Sequence, residues 1–168
     1  GMEYTIYMRF GQPMDPFGNP VDDAGVSRDP AGRAIDTERY LCVDGAVRAD
    51  PQRDSEYTRE CGQAVGAAFR RNTVVVATTF LSYVLYHCLR DRYPKLDLYR
   101  LLRLARGEVL PLDEIYHPAT RLRDALRELA GRGDIQLSHT VSRLAIPELV
   151  EKAVEVLGMY HSTPVVEV

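Results

Sequence analysis

The stretch "DPFGNPVDDAGVSRDPAGRAID", residues 15–36, sets an aspartate three residues before a glycine on a seven-residue beat: Asp15/Gly18, Asp22/Gly25 and Asp29/Gly32, with Asp36 closing the series. Acids and glycines in such a rhythm suggest a cation loop. An EF-hand-type loop, however, places oxygen ligands at alternate positions so that several carboxylates converge on one ion. Each unit here supplies one or two carboxylates, and units of this length do not fold back on a single ion. "DPFG" and "DPAG" carry type I turn chemistry instead, with Asp at the first position, Pro presetting φ at the second and Gly at the fourth. The beat reads as structural turns, and no metal site is expected.

Nucleophile chemistry is equally thin. His87 and Cys88 are adjacent and close to Ser82, but neighbours on a helix point about 100° apart and this helix is apolar on most faces. A buried, inert thiol and a core histidine are expected, and a small enzyme built on His87 or Cys88 is the weakest reading. His117, His139 and His161 lack ligand spacing, and no Gly-rich phosphate loop is present. No catalytic, cofactor-binding or metal-ligating residue is assigned, and no cofactor is implied.

Charge is unevenly spread. Residues 1–60 hold 7 basic and 12 acidic side chains, residues 61–133 hold 12 and 7, and the remaining 35 hold 2 and 5, within a net charge of −3. The cationic middle could meet phosphate, an anionic membrane or an acidic partner, and Arg70, Arg71, Arg100 and Arg103 are its candidate surface. Nucleic acid is not expected, because Arg121, Arg123 and Arg127 at i, i+2 and i+6 do not share one helical face and the chain is not basic overall.

The elements that must position these residues follow from periodicity. "EYTIYMRFG" alternates strictly, with Tyr4, Ile6, Met8 and Phe10 on one face, and predicts a half-buried strand over 3–11. Residues 11–52 concentrate Gly and Pro and read as a turn-rich excursion far longer than an ordinary connection. Helical periodicity then takes over. Residues 55–71 place Tyr57, Cys61, Ala64, Val65, Ala68 and Phe69 on one stripe, and residues 77–93 predict a central helix that Pro94 ends. Asp97 should cap a helix closing at Gly107, Pro118 should open the next, and Pro147 the last, running through His161. Short strands are expected at 134–138, 142–146 and at the closing "PVVEV". The predicted class is α+β, predominantly helical: a strand and turn-rich segment over 1–52, then a helical domain over 53–168 with a small winged-helix-like β element.

The opening "YTIYMRFGQPMD" resembles the strand just past the catalytic core of bacterial glycerol-3-phosphate acyltransferases, where an alternating strand runs into an "RFG-x-P-(I/M/L)-D" turn, here Arg9 to Asp15. The Arg-Arg-Asn boundary at 70–72, the apolar helix "TVVVATTFLSYVLYHCLR" and "LDLYRLLR" are similar to that family's C-terminal helical region. "MYHSTPVV" sits where the family carries a Tyr-Tyr-Arg-Asn-type motif, with the Arg missing here. The resemblance implies a non-catalytic C-terminal region of a phospholipid-synthesis enzyme. The family's catalytic His and Asp, separated by four residues, have no counterpart: His87 and Asp91 are separated by three and His117 and Asp124 by six. The glycine-rich phosphate segment is absent too.

On that resemblance, the partners implied are the catalytic acyltransferase domain, encoded upstream, and an anionic membrane face. The unpaired strand 3–11 also predicts a homodimer or strand exchange. The alternative is a free-standing winged-helix-like regulatory or nucleic-acid-binding protein. Three cysteines without CxxC spacing suit a reducing cytoplasmic setting, peripheral to the inner face of the membrane. The longest apolar run, residues 74–89, is shorter than the roughly 18–20 residues a spanning helix needs.

Overall fold

Each aspartate of the seven-residue beat builds its turn with its own carboxylate. Asp15 Oδ1 accepts the backbone N–H groups of Phe17 and Asn19, Asp22 Oδ1 those of Ala24 and Val26, and Asp29 Oδ1 those of Ala31 and Arg33, all within 3.0 Å. The N–H groups of Gly18, Gly25 and Gly32 donate to the carbonyls of Asp15, Asp22 and Asp29. These glycines have φ of +87°, +77° and +80°, in the left-handed region that a Cβ disfavours. Val21, Arg28 and Ile35 donate to the carbonyls of Pro13, Pro20 and Ser27, which stitches one rung to the next. The beat is a ladder of structural turns.

The computed structural model describes residues 5–104 and 107–159, and its contacts divide the chain into two units, Gly1–Asn72 and Thr73–Val168. The sequence reading drew its division at 52/53; here α1 (Pro51–Asn72) goes with the turn ladder. α1 begins where Asp50 Oδ1 accepts the N–H groups of Gln52 and Arg53, while Asp54 accepts that of Asp50 in return. Asn72 Nδ2 donates to the Ala68 carbonyl at its end. Ahead of α1 come a 3-10 turn at Thr37–Tyr40 and a hairpin of β1 (Cys42–Val43) and β2 (Ala46–Val47). Asp44 and Gly45, both at positive φ, make its tight turn.

The first rung lies directly against α1. A Cβ built on Gly18 would sit 2.9 Å from Ala64 Cβ and 3.4 Å from Cys61 Cα. Phe17 stacks on Tyr40 with centroids 4.6 Å apart, and Tyr57 meets both edge-on; each such pair adds about 0.5–1.5 kcal/mol beyond its area. Arg53 donates to the Leu41 and Arg48 carbonyls, tying the hairpin region to the helix. Tyr57, Cys61, Ala64, Val65 and Ala68 are half-buried as expected, whereas Phe69 is exposed. Among this unit's described residues the buried ones are polar, Asp15 and Ser27.

The expected strand over 3–11 is corrected: residues 5–13 join no β-ladder, and Tyr4 lies outside the described residues. A strand exists only where a neighbour takes its N–H and C=O groups, and among the described residues none pairs with this segment.

In the second unit α2 (Ala77–Arg92) is central, with α4 (Leu112–Gly131) and α6 (Ile146–Gly158) packed on it. Phe80, Leu81 and Val84 meet Ile115 and Ala119 of α4 and Leu149, Val150 and Ala153 of α6 in one buried cluster. β3 (Val74–Val75) pairs in parallel with β4 (Gln136–Leu137), α3 (Leu98–Leu104) intervenes after α2, and α5 (His139–Arg143) follows β4. The α+β, predominantly helical class holds, and a small β element is present. It is a parallel crossover pair rather than a wing hairpin, because residues 142–146 end α5 and begin α6. α4 also starts at Leu112, so Pro118 lies inside it. The expected strand "PVVEV", the C-terminal end of the last helix and "MYHSTPVV" beyond Met159 lie outside the described residues, as do Ala105 and Arg106 near the expected end of α3.

Gly18→Ala and Gly25→Ala separate the ladder from its seat. Gly25 has nothing within 4 Å, so its substitution should cost roughly 1–2 kcal/mol from backbone strain alone. Gly18→Ala adds overlap with α1 and should cost about 1–3 kcal/mol more. Equal shifts of the two urea midpoints would refute the close packing of the first rung.

Candidate functional site

The three ladder carboxylates have no lone pairs directed at a common point. Besides the backbone donors, Asp15 Oδ2 accepts from Asn19 Nδ2, Asp22 Oδ2 from Arg28 Nε and Asp29 Oδ2 from Arg33 Nε. Burial alone would raise the Asp15 carboxyl, but hydrogen bonds from Asn19, Ser27 and Phe17 outweigh it and hold it below the usual range. The Val26 N–H and the Arg28 guanidinium lower Asp22, and the Arg33 N–H and guanidinium lower Asp29. Among the described residues no three His, Cys, Asp or Glu side chains gather as a metal would require.

His87 and Cys88 do not form a dyad. His87 packs its ring against Tyr83 at 4.2 Å and Tyr86 at 5.2 Å. Cys88 points elsewhere, with Sγ 3.9 Å from the Glu114 carbonyl. That carbonyl is special, because the residue four positions on is Pro118, which has no N–H to donate. The thiol fills the gap the proline leaves. Burial first, then Asp91 and Glu114, push the Cys88 thiol up, which keeps it protonated and a poor nucleophile.

The arginines sort into spent and exposed. Arg123 Nη1 donates to the Leu144 carbonyl at 2.7 Å and Arg127 Nη2 to the Ser142 carbonyl at 2.8 Å, satisfying backbone groups between α5 and α6. Arg92 bridges Glu108 at 3.1 Å and Glu114 at 2.6 Å and donates to the Val109 carbonyl. Tyr93 Oη joins at Glu108, so the end of α2 clamps the segment after α3 to the start of α4. Periodicity missed this clamp, whose partners lie 15 to 22 residues apart. Of the candidate cations, Arg70 and Arg71 end α1 in the first unit, while Arg100 and Arg103 lie on α3 in the second. All four are exposed.

Two apolar surfaces remain. Ile6, Met8 and Phe10 are 86%, 75% and 87% exposed, and on α3 only Leu101 is buried while Leu98, Tyr99 and Leu102 face water. Among the described residues, no helix is long and apolar enough to cross a membrane. Comparison with protein-family models, curated proteins and solved structures finds no match to the chain.

The lowered carboxyls make the ladder acid-sensitive. Each folded value lies below the unfolded one, so its stabilisation is complete above the unfolded value of about 4 and is lost as pH falls through the folded value. Amide-exchange protection at Phe17, Ala24 and Ala31 should be unchanged from pH 7 to 5 and fall steadily below about pH 4; protection that persists at the lowest pH would contradict this. Cys88 should react with a thiol reagent more slowly in the native chain than in urea, and Cys88→Ala should leave the α2 helix in place at a cost of no more than about 1 kcal/mol, because water can replace the thiol at the exposed Glu114 carbonyl.

Proposed function

We propose that the chain is the C-terminal, non-catalytic region of a glycerol-3-phosphate acyltransferase-like enzyme of phospholipid biosynthesis, bracing a catalytic domain or its attachment to a membrane. The observation that carries the reading is the segment 5–10. Its apolar side chains alternate, stand in water and lead directly into "RFGQPMD". A peptide of this pattern is shaped as one strand of a sheet whose other strands lie elsewhere, and burying Ile6, Met8 and Phe10 there would gain about 1.5–3 kcal/mol for each side chain.

In that family a histidine deprotonates the substrate hydroxyl and an aspartate orients the histidine. Neither role has a residue in this chain, so the acyl-transfer step belongs to the partner domain. The nucleic-acid alternative draws less support, since Arg123 and Arg127 are committed to backbone carbonyls and β4 pairs with β3 instead of forming a wing.

The isolated chain should show no turnover of acyl donor with glycerol 3-phosphate, and turnover above background would sink the non-catalytic role. Light scattering at high concentration should reveal a dimer that Met8→Pro disrupts by removing a ladder donor; a strict monomer counts against the exposed strand. The reading frame upstream of Met2 should encode a His and an Asp separated by four residues, and a frame that closes without them removes the reading.

A further inference from the structure

α3 is seven residues long, and its sequence "LYRLLRL" is mostly apolar. The fold uses one of these side chains: Leu101 is 1% exposed, whereas Leu98, Tyr99 and Leu102 are 47%, 77% and 57% exposed. At about 100° per residue the three exposed side chains share one continuous arc of about 100°, Leu101 lies to one side of it and Arg103 borders the other. The core therefore does not account for this arc. A cluster of apolar surface rimmed by charge marks an interaction site.

The rim is cationic. Lys95 and Arg103 make no ion pair among the described residues, and Arg100 shares its charge with Asp97 at 3.4 Å. Of the acids that follow α3, Glu108 and Glu114 share the single charge of Arg92, and Asp113 lies beyond them at the start of α4. An apolar arc with a tyrosine at its edge and Lys/Arg beside it is the pattern of a helix lying in a membrane interface.

We propose that α3 docks in the plane of an anionic phospholipid bilayer, with Leu98, Tyr99 and Leu102 entering the headgroup boundary and Lys95, Arg100 and Arg103 meeting lipid phosphate. The proposal rests on the membrane attachment proposed above and names the element that makes it; vesicle binding tests it separately from acyl-transfer turnover. It also separates α3 from Arg70 and Arg71, which belong to the other unit.

The chain contains no Trp, so Leu102→Trp supplies a single reporter. Its emission should shift to the blue on vesicles of phosphatidylcholine with phosphatidylglycerol and stay in place on phosphatidylcholine alone. In co-sedimentation of the unlabelled chain, Arg100→Ala and Arg103→Ala should each weaken binding about fivefold, and added salt should weaken it further. Arg70→Ala with Arg71→Ala should leave binding unchanged. Circular dichroism of each variant checks the fold, and Arg103→Lys, which keeps the charge, should bind as the parent chain does. Emission unmoved by anionic vesicles, equal binding to both lipids, or release by the Arg70/Arg71 pair in place of the α3 pair overturns the proposal; the first outcome would leave a protein partner as the occupant of the arc.

Discussion

α2 turns Thr79, Ser82 and Tyr83 to water and an apolar stripe of Ala77, Phe80, Leu81 and Val84 inward, and covering that stripe organises the second unit. Such a stripe is stable in water only when neighbours cover it, because each large side chain left exposed forfeits about 1.5–3 kcal/mol. α4 and α6 provide that cover through Ala119, Leu149 and Ala153, small or branched residues that let the helices approach closely. The remaining elements serve the same end. The parallel pair β3/β4 anchors the chain on either side of α2–α4, and the Arg92 clamp holds the α3 excursion closed at the end of α2.

The first unit solves the opposite problem. It has few apolar residues to bury, so its backbone polar groups cannot be left to a core and must be paired locally. Aspartate does this at every rung, accepting N–H groups two and four residues on, while glycine takes the left-handed position that closes the turn. Such hydrogen bonds each contribute only about 0.5–1.5 kcal/mol net. The Phe17, Tyr40 and Tyr57 cluster and the close seat of Gly18 on α1 add the tertiary contacts that fix the ladder in place.

Both exposed apolar surfaces lie where a local constraint has been met without burial. The segment 5–10 leads into the ladder, whose first link is the Val21 N–H donating to the Pro13 carbonyl. α3 is capped by Asp97 and anchored by Leu101, and nothing in the fold requires its other leucines to be inside. Neither surface is explained by the stability of the chain alone. The two proposals above set another body at each: a sheet at the first, a lipid surface at the second.

The sequence by itself determined the local structure: the turn ladder from the Asp/Gly beat, the body of α1 from the apolar stripe over 55–71, α2 ending ahead of Pro94 and α6 opening at Pro147, because these signals act over a few residues, whereas the start of α1 at Pro51 came only with the structure. Tertiary structure decided the rest. Pro118 stands within α4, and the Cys88 thiol lies 3.9 Å from the carbonyl it orphans, a partner 26 residues away that periodicity cannot see. β4 became half of a parallel pair because β3 lay within reach, while residues 5–10 formed no strand because a strand is a property of two segments and no described residues pair with them. The cations divided the same way: their positions were legible, but only the folded arrangement spent Arg92, Arg123 and Arg127 on internal partners and left Arg103 beside an apolar arc in water.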